Sequence, residues 1–314
     1  MSRVAVRLDA SAKVGTGHWR RMGNLVDALR PEHAVFIVRT DAPDNSIFRP
    51  ASVRFLDDSD EFATIQHVCT RASIDLLITD LLRYPPGYQA RLREALTCRI
   101  VSFHEYRDWD DLADLIVNFN IFDGFADISS PKILAGPDYC IINPEILSLA
   151  SSPITDEVLL TFGGADPSAF AEFFVNEVVP HAPSIRFVLH EGPLGRRCVA
   201  DLPSNVRRSH TSESFFGLMA RCRAAVTAAG NSLYELIYLR RPVFVVAHND
   251  HQAEFAANAA RLGVAQFFGS APNVDWTALI SSLHRATPPA SQAPSLIDGL
   301  GLNRIISRIR PLVA

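Results

Sequence analysis

The chain has 314 residues, 48% of them hydrophobic, with 30 basic and 34 acidic side chains and a formal charge of −4. That length exceeds what a single core usually fills, so two domains are expected. Near-balanced charge without a lysine or arginine block removes the electrostatic footprint of a nucleic-acid or membrane-surface binder and leaves a small-molecule site as the expectation.

The opening MSRVAVRLDAS does not predict a signal peptide, and no segment approaches the apolar length that crosses a bilayer. A cytoplasmic protein is expected. Cys69, Cys98, Cys140, Cys198 and Cys222 are scattered and never form a CxxC pair, which predicts reduced thiols rather than a disulfide framework or a zinc knuckle.

In chain order, RVAVRLD, AVFIVR, SVRFLD, DLLITD, CRIVSF and DLIVNFN predict strands, separated by helical patterns such as RRMGNLVDALR and PPGYQARLREALT. Such alternation is the mark of βαβ units on a parallel sheet, so residues 1–143 are expected to form a Rossmann-like domain. Residues 144–156, rich in serine and proline, are expected to be a linker. The alternation then resumes with EVLLTF, IRFVLH, RAAVTA and PVFVVA, and predicts a second Rossmann-like domain over 157–299. The 300–314 segment has apolar residues at helical spacing and is expected to return to the first domain. The fold class expected is α/β, with two Rossmann-like domains facing a central cleft bordered by the C-terminal ends of both sheets, where open α/β sheets place ligands.

Motifs at strand ends therefore carry the chemistry. After RVAVRLD come Gly15, Gly17 and then His18, at the start of a predicted helix. Glycines and helix-start amides suit an anion, and an imidazole can take a proton from water or a hydroxyl. GxGH is too short for a dinucleotide fingerprint, and on its own the histidine is either catalytic or a polar residue opening a helix. Arg21, three residues on, either pairs with Asp9 or supports a diphosphate. In the second half Gly163 and Gly164 precede a helix expected from about Pro167 or Ser168. This loop either offers amides to an anion or is a tight turn capped by Asp166 or Ser168. Gly230, Asn231, Ser232 and Glu235 follow the strand RAAVTA, and Glu235 is placed to accept two vicinal hydroxyls, as on a ribose. His248, Asn249, Asp250, His251 and Gln252 form a dense polar set after an apolar strand, which predicts ligand contact.

RLDASAKVGTGHWRRMGNL resembles the RxDxSxxxGxGHxxR motif of the pseudaminic-acid-pathway UDP-sugar hydrolases, with Arg7, Asp9, Ser11, Gly15, Gly17, His18 and Arg21 at matching positions. GPDYCIINPEI, FGGADP and IDGLGLNRI resemble three further motifs of that family, in the same order. The 230–252 region is also similar to the lipid II-forming N-acetylglucosaminyltransferases. The resemblance implies a GT-B fold, His18 as the catalytic residue, Glu235 on the ribose and Gln252 on the sugar. It also implies cleavage of a UDP-linked amino or deoxy sugar at the anomeric carbon, with UDP released, during biosynthesis of a pseudaminic-acid-like nonulosonic acid.

The chain departs from the family after Asp80, where Leu81, Leu82, Arg83 and Tyr84 stand instead of histidine and tyrosine. It departs again at His104, Glu105 and Tyr106, where an aspartate is usual. Asp9, Asp80, His104, Glu105 and His248 are therefore the candidates for the sugar side. The alternative is a GT-B glycosyltransferase delivering the sugar to a hydroxyl, amine or lipid; a membrane acceptor belongs to that reading alone, and Phe119, Ile121, Phe122 and Phe125 either form its apolar patch or fill a core, the commoner fate of such residues. No cofactor is expected. No metal is expected either: Asp58-Ser59-Asp60 and Asp108-Trp109-Asp110 read as solvated turns, and His248 with His251 lacks a third ligand.

Overall fold

A computed structural model describes residues 2–48, 52–56, 60–107, 109–110, 112–194, 201–210, 213–286 and 296–313. The chain divides into two compact units. The first comprises Met1–Asn120, Gly124–Ile141 and Leu300–Ala314, and the second Ile121–Asp123 and Ile142–Gly299.

The first unit contains β1 (Arg3–Asp9), α1 (Gly17–Leu29), β2 (His33–Arg39), β3 (Val53–Leu56), α2 (Glu61–Arg71), β4 (Leu76–Leu81), α3 (Tyr88–Ala95), β5 (Arg99–His104), β6 (Leu115–Asn118) and β7 (Ile133–Ala135). Its strands are all parallel, in the order β3-β2-β1-β4-β5-β6-β7. Val4, Ala5, Val6, Leu8, Leu76, Leu77 and Ile78 are fully buried, because helices cover both faces of a parallel sheet and leave no polar side for alternation. The chain order reverses between β1 and β4, so the loops after these two strands diverge and open a crevice at their C-terminal ends.

The second unit contains α4 (Pro144–Leu149), β8 (Glu157–Thr161), α5 (Phe170–Phe173), β9 (Arg186–Leu189), β10 (Val206–Arg208), α6 (Phe215–Arg221), β11 (Ala224–Thr227), α7 (Asn231–Tyr238), β12 (Val243–Ala247), α8 (Asp250–Arg261), β13 (Gln266–Ser270), β14 (Asn273–Val274) and α9 (Trp276–Arg285). The order is β10-β9-β8-β11-β12-β13-β14, parallel except for the β13–β14 pair, with its own reversal between β8 and β11. The segment expected to be a linker thus carries α4, started by Pro144 and capped by the Asn143 side chain. Strands β7, β10, β13 and β14 have no counterpart among the predicted strands. Of these, β7, β10 and β14, of two or three residues at sheet edges, are too short for a period-2 signal, and β13, QFFGS, ends in a Gly-Ser turn signal.

The last helix, α10 (Gly301–Ile309), belongs to the first unit and packs on α1. Ile305 and Ile309 are fully buried, Arg304 Nη1 donates to the Asp138 carbonyl at 2.8 Å, and Arg308 donates to that of Pro131. A side chain at Gly301 would meet the backbone of Tyr139 and Cys140. Gly301→Ala is therefore expected to lower unfolding free energy by about 2 kcal/mol, read as an earlier urea midpoint.

Candidate functional site

Gly15, with φ of +81°, closes a tight turn in which its amide donates to the Ser11 carbonyl at 2.7 Å. This turn delivers the chain into α1, where Thr16 supplies no side-chain cap. His18 and Arg21 stand three residues apart and share the buried face of that helix, at 5% and 4% exposure. Facing them is Asp80 of β4, with no exposed surface at all.

Asp80 Oδ1 lies 2.8 Å from His18 Nδ1, while Arg21 reaches Asp80 Oδ2 through Nε at 2.7 Å and Oδ1 through Nη2 at 2.5 Å. Burial works to raise the Asp80 pKa; Arg21 first and His18 second outweigh it and hold the carboxyl below the usual range. An ionised carboxylate only accepts hydrogen bonds, so Nδ1 carries the proton and Nε2 the lone pair. An imidazole oriented in this way can act as a general base.

Arg21 also contacts Glu105 Oε1 at 2.6 Å, and its guanidinium lies 5.1 Å over the Phe119 ring. The expected Arg21–Asp9 pair is not formed. Asp9 instead accepts from Arg7 at 2.6 Å, and Arg7 is tied to Glu61 at 2.6 Å, because β1 turns Arg7 toward α2 and α3. Arg21, buried between two carboxylates, is placed to organise Asp80 rather than to meet a diphosphate. His104 also stands apart from His18: its Nε2 lies 3.1 Å from Ser102 Oγ, and its ring packs on Tyr84 at 4.3 Å. Ser102 and His104 alternate with Phe103, which shares the Asp80 face of the sheet.

Asn118 and Asn120 were not singled out by the sequence, yet both are buried beside Glu105. Asn120 Nδ2 donates to Glu105 Oε2 at 2.8 Å and to its carbonyl at 3.1 Å. Two asparagines at i and i+2 closing a buried strand were the available signal.

In the second unit Gly163 has φ of +89°, and Gly192 packs so closely on the Gly163–Gly164 backbone that a side chain there would collide with it. Helix α5 begins at Phe170, later than expected, because Asp166 caps it: Oδ1 accepts from the Phe170 amide and Oδ2 from the Ala171 amide, each at 2.9 Å. Asp166 thus holds the first amides of α5, and the Gly163 and Gly164 amides are not among those it takes. His248 joins this group, its Nε2 donating to the Phe162 carbonyl at 3.2 Å and its ring stacked on Phe170 at 4.6 Å. Burial lowers the His248 pKa, against the Phe162 carbonyl and Asp166.

Gly230 leads into α7, and Asn231, Ser232 and the buried Glu235 occupy its first turns. Asp250 starts α8 and is exposed; Asn249 caps that helix through the Gln252 amide at 3.0 Å. Gln252 Oε1 accepts from the His248 amide at 2.9 Å.

Phe119, Ile121 and Phe122 are buried at 5%, 1% and 3% exposure, and Phe125 is half-buried, which is the core reading of these side chains rather than the apolar patch. Asp58, Ser59 and Asp108 of the two DxD candidates, and Cys198, lie outside the described residues. The other four cysteines are free thiols.

Asp80 and Glu61, the latter held by Arg7, Tyr88 and Arg39 against its burial, both have lowered pKa values. They stabilise the fold above their unfolded values near ~4, and that contribution is lost as pH falls through the folded values. Urea midpoints are expected to fall below about pH 4, less steeply in Glu61→Gln.

No protein-family model matches the chain. It is 25% identical to the spore coat polysaccharide biosynthesis protein SpsG of Bacillus subtilis, with 98% of each chain covered. An uncharacterized protein of Methanocaldococcus jannaschii is 21% identical over 80% of this chain and 57% of its own length. Among solved structures, the M. jannaschii UDP-GlcNAc 2-epimerase in complex with UDP-GlcNAc and UDP superposes with a TM-score of 0.63 at 11% identity, covering 98% of this chain and 99% of that one. The spinosyn forosaminyltransferase SpnP gives 0.63 at 12% identity, covering 99% and 94%. No helix among the described residues is long and apolar enough to cross a membrane. The chain has the GT-B fold of these solved structures and is similar over nearly its whole length to SpsG.

Proposed function

We propose that the protein is a nucleotide-sugar hydrolase that cleaves a UDP-linked amino or deoxy sugar at the anomeric carbon, in the biosynthesis of a pseudaminic-acid-like nonulosonic acid. The observation that carries the reading is the contact of Asp80 with His18 Nδ1 at 2.8 Å, which leaves Nε2 as the base. Nε2 takes a proton from water as the water oxygen bonds to the anomeric carbon. The bond from that carbon to the diphosphate oxygen breaks, its electron pair leaves with UDP, and the configuration inverts. Amides at the start of α1, which follows the Gly15–Gly17 turn, meet the negative charge that develops, while the Gly15 amide stays with the Ser11 carbonyl.

In the second unit, Gly163, Gly164, Gly230, Asn231, Ser232, Glu235, Asp250 and Gln252 are the nucleotide-side residues of this reading, with Glu235 on the ribose hydroxyls. Asp9, whose carboxylate Arg7 orients, is the remaining polar contact for the sugar. The SpsG similarity and the UDP complex of the epimerase support the choice of substrate class.

The second reading is a glycosyltransferase, favoured by the solved glycosyltransferases that share the fold. Burial of Phe119, Ile121 and Phe122 removes the acceptor patch that this reading expected. Incubation with a panel of UDP-sugars in heavy-oxygen water separates the two. Label in the free sugar and none in UDP is the hydrolase result; UDP release only after addition of an acceptor would establish the transferase instead.

A further inference from the structure

Arg21 Nη2 has two hydrogens and three neighbours: Asp80 Oδ1 at 2.5 Å, Glu105 Oε1 at 2.6 Å and His18 Nδ1 at 3.0 Å. The two carboxylates take both hydrogens, because charge-assisted bonds are stronger than a bond to a neutral imidazole nitrogen. Nothing is then left to donate to Nδ1, which must itself be the donor, toward Asp80. Without Glu105 the second Nη2 hydrogen competes with the Asp80 carboxylate for Nδ1 and draws population toward the other tautomer, in which the proton sits on Nε2. That tautomer cannot accept a proton from water at Nε2.

We propose that Glu105 is a positioning residue that protects the His18 tautomer set by Asp80, by occupying the second Nη2 hydrogen of Arg21, and that Asn120 holds it there. Asn120 fixes both the Glu105 carboxylate and its carbonyl, while Asn118 secures the neighbouring Tyr106 carbonyl at 3.0 Å and accepts the Asn120 amide at 3.1 Å. Both asparagines are at or below 2% exposure, so the anchor stays dry and rigid. Glu105 stands where the chain departs from the resembling family's usual aspartate, and its longer side chain spans from Asn120 to Arg21. The inference rests on the proposed role of His18, but the tautomer can be read without turnover.

The test is nitrogen NMR of full-length protein carrying ¹⁵N-histidine, with the His18 signals assigned by their loss in His18→Gln. The wild-type chain is expected to show a protonated Nδ1 and an unprotonated Nε2. In Glu105→Ala the pattern shifts toward protonated Nε2, and in Glu105→Gln, which keeps an acceptor oxygen, it lies between. With a turned-over UDP-sugar, kcat follows the same order and falls about 10–100-fold in Glu105→Ala, with KM within twofold. If Glu105→Ala does not fold, Glu105→Gln decides on the same signals.

A protonated Nδ1 retained in the variants overturns the proposal, whether kcat is unchanged or falls together with thermal stability, the latter marking a merely structural residue. A wild-type Nε2 that carries the proton also overturns it. Absence of any UDP-sugar turnover in the wild type counts against the hydrolase reading alone, because the NMR result still decides the role of Glu105.

Discussion

His18→Ala is expected to lower kcat for UDP-sugar cleavage by about 10²–10⁴-fold, the range that a positioned general base supplies. UDP affinity, measured by calorimetry, is expected to stay within about twofold, since the change leaves the backbone amides of α1 and the nucleotide-side residues of the second unit in place. Nε2 acts in the transition state only, so its removal lowers kcat and kcat/KM together. Stability is expected to change little in comparison, because alanine suits a helix and the Arg21–Asp80 pair stays intact. Undiminished turnover in this variant would remove the imidazole from the mechanism.

Asp80→Asn is expected to have a double effect. The carboxylate receives both Arg21 and His18 at a site with no exposed surface. Replacing it by an amide leaves Arg21 with a neutral acceptor in place of the Asp80 charge and allows an N–H to face Nδ1, which drives the imidazole into the wrong tautomer. Loss of the orienting carboxylate behind a catalytic histidine costs about 10⁴-fold in a serine-protease triad, and a loss of about 10³–10⁴ in kcat is expected here. Breaking a buried pair on one side costs about 3 kcal/mol, read as a lower urea midpoint. Asp80→Asn with near-normal kcat would mean that His18 is oriented by something else.

The central strands were legible because burial on both faces of a parallel sheet forces runs such as VAV and LLIT, and the alternation of such runs with helical segments indicated α/β units. Short edge strands left no such trace: VRR at 206–208 reads as a basic turn, and pairing with β9 is what makes it a strand. At the site, the glycine turn marked His18 from the sequence, and Asp80 was visible as a charge closing an apolar run. What the text did not reveal is which charges meet. Arg21 lies 12 residues from Asp9 and 59 from Asp80, yet strand order places the distant partner against it. The caps were ambiguous for a related reason, since Asp166 and Ser168 are equally good capping residues until the loop fixes where the helix starts.

The return of α10 to the first unit sets an order of events during synthesis. Residues 301–309 leave the ribosome after the whole of the second unit, so α1, the helix that bears His18, waits uncovered on one side until that unit has been made. A chain released early, at about residue 299, would have every described strand of both sheets and still lack the helix that packs on α1.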